Sequence, residues 1–130
     1  MNTQINPSTI GAPAAAYSLG VRSTVGSEFL HTSGIVATSA DGSVPEELNE
    51  QAEVIWFALR EIIQSAGFRM NDLVSYTTYV VDGNDLAVVM AARDAALEGH
   101  RAASTLVVVP RLARPEWRME ISAIAAKDVG

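Results

Sequence analysis

The chain contains no cysteine. That excludes a disulfide framework, a thiolate nucleophile and a cysteine-ligated metal. Positive charge is also scarce: 9 Lys and Arg against 15 Asp and Glu leave a net charge of −6. A general nucleic-acid binder needs a basic face to displace counterions from phosphates, so this balance argues against one. No apolar run approaches the roughly 20 residues needed to cross a bilayer, and Met1 to Pro7 carry no signal-peptide pattern. A cytoplasmic protein with no membrane partner is expected. Internal repeats, low-complexity segments and charge blocks are missing, as are a Gly-x-Ser-x-Gly elbow, a phosphate-binding glycine loop and a dinucleotide fingerprint. The only histidines, His31 and His100, have no neighbours at metal-ligand spacing. Neither a metal site nor a cofactor is expected.

Apolar material is what the chain has in quantity. Of its 130 residues 48% are hydrophobic and 18% charged. This length fits a single domain over residues 1–130, because dividing it would leave two cores too small to be stable. The apolar fraction lies near the top of the ordinary range, which hints at more buried surface than one small monomer provides.

Pro7 to Ala16 reads as an irregular lead-in. Tyr17–Val25 and Glu28–Ala37 then read as two short strands around the turn at Gly26–Ser27. Ser43-Val44-Pro45-Glu46 has the form of a capping box, with Ser43 as N-cap and Glu46 reaching back. Ala52, Ile55, Leu59, Ile62, Ile63 and Ala66 follow at helical spacing, and Gly67 is a natural terminator. Asp72–Val81 is a strand by its β-branched and aromatic content. A second helix is expected from Asp85 to Glu98, capped by Asn84 and closed by Gly99. Ser104–Val109 and Trp117–Ala126 complete a ββ-α-β-α-ββ order. Two helices on one face of a mixed sheet make an α/β (α+β) domain. In Ser104–Val109 both parities are apolar, the mark of a strand buried on both sides. Two helices cover only one side, so the other is expected to meet a second subunit. The alternative is a monomer whose irregular N-terminus folds over the sheet.

Several segments, taken together, resemble the RidA (YjgF-type) family of enamine/imine deaminases. They are Ala15-Ala16-Tyr17-Ser18, Thr32-Ser33-Gly34, Gln51, Ala66-Gly67, Asp72-Leu73-Val74, Thr77-Thr78-Tyr79-Val80-Val81-Asp82, Ala103-Ser104-Thr105 and Glu120-Ile121-Ser122-Ala123-Ile124-Ala125. The likeness runs in order from about Asn6 to Ala125. It implies a chorismate-mutase-like domain, a homotrimer with one site per intersubunit cleft, and a small-molecule substrate. There water turns an enamine or imine into a carbonyl compound and ammonia.

The resemblance assigns roles residue by residue. Glu120 matches the glutamate that positions the water. Strand alternation would put it on one face with Arg118 and Ser122, and a surface glutamate paired with Arg118 is the competing reading. Tyr17 matches a tyrosine lining the cleft, against the commoner role of a half-buried aromatic. Gly34 matches a glycine whose backbone approaches the ligand, against a glycine kept for sheet packing. Ala103 and Thr105 lie in the segment that binds substrate. Family deaminases of amino-acid-derived substrates carry an arginine where this chain has Ala103, and its bidentate bonds hold a carboxylate. Charge-assisted bonds contribute about 1.5–3 kcal/mol each, so the change weakens carboxylate capture by orders of magnitude. Arg101, two residues earlier, and Arg93, on the second helix, are the candidate substitutes. Arg93 is equally readable as a surface partner of Asp94 or Asp85. Met90 stands where many relatives have asparagine. Arg111, Arg114, Trp117 and Arg118 read either as an anion-recognising rim or as a loop of solvated and ion-paired arginines. The function expected is hydrolytic deamination of a reactive enamine or imine; the alternative is a non-catalytic small-molecule-binding or regulatory trimer.

Overall fold

A computed structural model describes residues 1–129. Seven strands and two helices follow one another as β1 (Asn2–Ile5), β2 (Gly20–Ser23), β3 (Ser27–His31), β4 (Ile35–Val36), α1 (Leu48–Ser65), β5 (Leu73–Val81), α2 (Leu86–Leu97), β6 (Ala103–Val109) and β7 (Met119–Asp128). The main sheet runs β3-β7-β5-β6, with β4 also paired to β7. The β5–β6 pair is parallel, joined by α2 as crossover, and the other pairings are antiparallel. β1 and β2 form a separate two-stranded ribbon. The expected layering of two helices on a mixed sheet is therefore present.

The periodicity of the chain explains the layers. In β5 and β7 buried residues alternate with half-buried ones. Tyr76, Val80, Met119, Ile121 and Ala123 face the helices and join Ile55, Trp56, Leu59 and Ile63 of α1 and Val89 and Leu97 of α2 in one core. The opposite parity carries Ser75, Thr77, Tyr79, Glu120, Ser122 and Ile124. No helix covers that second face. Phe29 remains 54% and Val107 37% exposed there, so the N-terminal ribbon does not seal it.

Several local expectations are corrected. Ser43 does not cap α1: its N–H and hydroxyl both donate to Asp41 Oδ1, at 2.9 and 2.6 Å. The helix starts five residues later, behind Glu47, with no side-chain cap. Its other end closes as anticipated. Gly67 has φ +83°, and Gly67 and Phe68 donate to the carbonyls of Gln64 and Ile63, the paired bonds of a Schellman motif. Asp85, not Asn84, caps α2 by accepting from Ala87 N–H at 2.9 Å. Asn84 instead donates to the Val81 carbonyl at 2.8 Å. Asp85→Ala is expected to lower stability by about 1 kcal/mol, read as a melting-temperature drop of a few degrees. The polar Asn2–Ile5 segment is a strand that the sequence did not announce. The Tyr17–Val25 and Glu28–Ala37 strands are shorter than expected and pair with different partners, β1 and β7.

Candidate functional site

Glu120 lies second in β7, opposite Tyr79 of β5 and Val36 of β4. Alternation turns it to the helix-free face, where Ser122, Thr77 and Thr105 occupy the next row of the sheet. Its carboxylate makes no ion pair with any described residue. The anticipated pairing with Arg118 does not occur, because Arg118 precedes β7 and is outside its alternation. Arg118 Nε donates to the Glu46 carbonyl at 2.8 Å and Nη1 to Asn84 Oδ1 at 3.2 Å. The carboxylate is half-buried with no cation beside it, so its oxygens are open to hydrogen-bond donors from outside the chain.

A bulge delivers Gly34 to this carboxylate. His31 pairs with Ile124 and Ile35 with Ile121. Thr32, Ser33 and Gly34 thus stand opposite only Ser122 and Ala123, one residue too many for a regular ladder. Thr32 repairs the gap: its N–H donates to the Ala123 carbonyl and its Oγ1 accepts from Ala123 N–H, both at 2.9 Å. The displaced backbone at Gly34 comes so close to Glu120 that a Cβ there would lie 2.8 Å from Cδ and 3.2 Å from Cγ and overlap Oε2 outright. Only glycine fits beside this carboxylate position.

The other sequence-derived candidates lie further away. Tyr17 is half-buried, its hydroxyl accepting from Ala14 N–H at 3.2 Å. It adjoins the start of β6 through the Ser18–Ala103 bridge. Ala103 is level with Ser75, and Tyr79 with Glu120. Four strand residues, about 13 Å, therefore separate the Ala103 and Glu120 rows. Thr105 sits halfway between them. Arg101 is exposed and lies outside β6, so strand alternation does not aim it at this face; its carbonyl accepts from the Ser18 hydroxyl at 2.6 Å. Arg93 lies on the opposite side of the sheet, on the inner face of α2, paired with Asp94 at 3.0 Å. Met90 is 37% exposed on the same helix. In the basic segment Arg114 stands over the Trp117 ring at 5.5 Å and 3.8 Å from Glu116. One chain thus brings Glu120, Gly34, Tyr79, Ser122 and Thr77 together, but does not close Tyr17 and Ala103 onto them. Tyr79, quoted in the sequence only as part of the family resemblance, was given no site role there, although the parity of β5 places it beside Glu120. No three His, Asp or Glu residues among those described cluster as metal ligands.

Residues 9–127 match the Endoribonuclease L-PSP family. The chain belongs to that family. Among its relatives, the 2-iminobutanoate/2-iminopropanoate deaminase of Salmonella typhimurium is 34% identical over 124 residues, covering 92% of this chain and 94% of that one. The corresponding Escherichia coli K12 deaminase is 33% identical over the same shares. Among solved structures, YyfB from Yersinia pestis, of the conserved Rid protein family, superposes with a TM-score of 0.87 at 32% identity, over 97% of this chain and 98% of that one. Escherichia coli TdcF with bound serine gives 0.73 at 27%, over 97% and 96%. The RidA/YjgF resemblance and the two-layer fold are thereby established, and the two relatives from Salmonella and Escherichia coli carry the name of an imine deaminase. No helix of the described chain is long and apolar enough to cross a membrane.

Proposed function

We propose that this Rid-family chain is a hydrolytic deaminase of a small enamine or imine, with Glu120 as the group that activates water. The observation that carries the reading is the Glu120 carboxylate, unpaired on the helix-free face and held against the Gly34 backbone. In the reaction, water adds to the carbon of the N-protonated imine, which an enamine reaches by taking a proton at carbon, while a proton of that water passes to Glu120, giving a neutral carbinolamine. The same carboxyl then returns its proton to nitrogen, the C–N bond breaks as the carbinolamine oxygen closes the C=O bond, and the departing ammonia takes up the hydroxyl proton, so that a carbonyl compound and ammonium leave. Ser122, Thr77 and Tyr79 line the floor on which the substrate lies. With alanine at position 103, the preferred substrate is one that does not depend on a carboxylate clamp there, such as a ring-bearing or reduced-charge imine. The separation of Tyr17 and Ala103 from Glu120 supports clefts completed by further copies of the chain in a homotrimer. The family description includes the word endoribonuclease, but a net charge of −6 favours no phosphate backbone.

The test is ammonia release from freshly generated enamines and imines, with and without a carboxylate. Glu120→Gln is expected to lower the rate by about a hundredfold to ten-thousandfold, while Arg101→Ala leaves carboxylate-free substrates unaffected. If wild type accelerates none of them, the deaminase reading fails and the non-catalytic binding trimer takes its place. Elution at the 13.8 kDa mass of one subunit would rule out the shared cleft.

A further inference from the structure

The outer surface of the helical layer is less polar than a solvent-facing helix normally is. Phe57 projects from the middle of α1 and is 65% exposed. It stands between two grooves of about 550 and 560 Å³, one shared with α2 and the other with the 38–40 loop. Val54, Ala58 and Ile62 of α1 line the second groove. On the α2 side the wall is Val88 followed by Ala91, Ala92, Ala95 and Ala96. Ala91 and Ala95 are exposed, so this helix presents only methyl groups to whatever approaches. An exposed apolar patch of this kind marks a contact surface.

The charges on α1 select the partner. Asn49, Glu53, Phe57, Arg60 and Gln64 follow at steps of three and four and form one stripe. Glu53 and Arg60 both border the α2 groove, two turns or about 10 Å apart along the axis. Neither is in an ion pair among the described residues. Arg60 is steadied by one hydrogen bond, from Nη2 to the Ala96 carbonyl at 3.3 Å. This stripe is complementary to its own reverse. Let a second α1 lie antiparallel on the first, with the twofold axis between Trp56 and Phe57. Glu53 of each copy then meets Arg60 of the other, Asn49 meets Gln64, and the two Phe57 rings pack at the centre. We propose that the partner of this face is a second copy of the chain, docked through an isologous α1–α1 contact. Ala91 and Ala95 leave room for the α2 helices to approach. Glu50 and Glu61 come near each other at the margin, where salt screens their repulsion. With 18 residues in α1 and 12 in α2, burying the face on both copies removes roughly 1,000 Å² from water. That is the size of a weak association, with a dissociation constant of about 10–100 µM. The contact lies across the sheet from Glu120. It rests neither on the reaction nor on the clefts proposed for that side, which would only set the unit that pairs.

Sedimentation velocity from about 1 to about 500 µM protein, at about 0.15 M salt, reads the pairing. Phe57→Asp supplies the unpaired baseline, and wild type is expected to rise to at least twice its mass. Glu53→Arg and Arg60→Glu each set like charges together twice across the axis, so each should weaken pairing at least about tenfold. An equimolar mixture of these two variants restores both contacts, because one copy is then positive at both positions and the other negative at both. The mixture should pair within about threefold of wild type, and so should the double variant Glu53→Arg, Arg60→Glu. The proposal is overturned if wild type and Phe57→Asp have the same mass at every concentration. It is equally overturned if neither the mixture nor the double variant recovers what the single reversals lose. Should Phe57→Asp not fold, the mixture decides, since it changes only exposed and half-buried charges on one helix face. Because the readout is mass, failure here leaves the ammonia-release test standing, and failure of that test leaves this one intact.

Discussion

Gly34→Ala is expected to remove nearly all activity that depends on Glu120 while leaving the fold close to wild type. The new methyl would occupy space now held by the carboxylate, 2.8 Å from Cδ. Relief is easy for the protein and harmful to the site. Glu120 is a flexible side chain on an open face, so it swings away and the backbone barely moves. Displacing a reacting group by about 1 Å can cost a hundredfold in rate, and a swung carboxylate moves further than that. Ammonia release should therefore fall at least about a hundredfold, with a melting temperature within a few degrees of wild type. The double variant Gly34→Ala, Glu120→Gln should be no slower than Glu120→Gln alone, because both changes remove one interaction. Full activity in Gly34→Ala would show that the carboxylate does not act from this position.

Gln51→Leu should produce the opposite pattern, a large loss of stability from a buried side chain on the helix side of the sheet. Gln51 is fully buried at 0% exposure. Its amide donates to the carbonyls of Pro45 at 2.7 Å and Glu116 at 2.8 Å, and its oxygen accepts from Arg118 N–H at 2.9 Å. One side chain thus ties the entry to α1 to the segment leading into β7. Leucine fills the volume but removes the partners of two carbonyls and one N–H in a part-buried site, at about 1–3 kcal/mol each where water does not replace them. A loss of about 3–5 kcal/mol is expected, a large part of the 5–15 kcal/mol that typically separates folded from unfolded domains. Urea denaturation checks it through a lowered midpoint. Gln51→Glu keeps the shape but loses donors, and its destabilisation should deepen as pH rises and the carboxyl ionises. A midpoint shift of less than about 1 kcal/mol in Gln51→Leu would mean that water replaces the lost partners.

The layers of this fold were legible because they rest on periodicity. The Ala52 to Ile63 stripe and the alternation in β5 and β7 require a helix face and a sheet face whatever surrounds them. Caps were less legible because neighbours compete for the same groups. Ser43 had the right chemistry for an N-cap, yet Asp41, two residues before it, captures both its donors. β1 escaped notice because Asn2–Ile5 has little apolar content and is held by its partner β2. Alternation correctly placed Glu120 with Ser122 but failed for Arg118 and Arg101, which lie just outside their strands. The Gly34 contact depends on a one-residue bulge, which no local pattern encodes. Arg93 was readable either as a cleft contact or as a surface partner of Asp94 or Asp85, and its burial is visible only once α2 is laid on the sheet.

β7 has a consequence for how the molecule comes to exist. β3, β4 and β5 all take their register from it, and Ser27 near the front of the chain pairs with Asp128 near its back. A nascent chain that has reached only Pro110 possesses both helices and the parallel β5–β6 pair. It has nothing to hold Thr32 and Gly34 in place, and no residue 120 for them to meet. Local contacts can form during synthesis, but the long-range closure that completes the sheet must wait for the last strand. Glu120 and the strand that organises the fold therefore arrive together, so a chain cut short in synthesis holds no partly built candidate site.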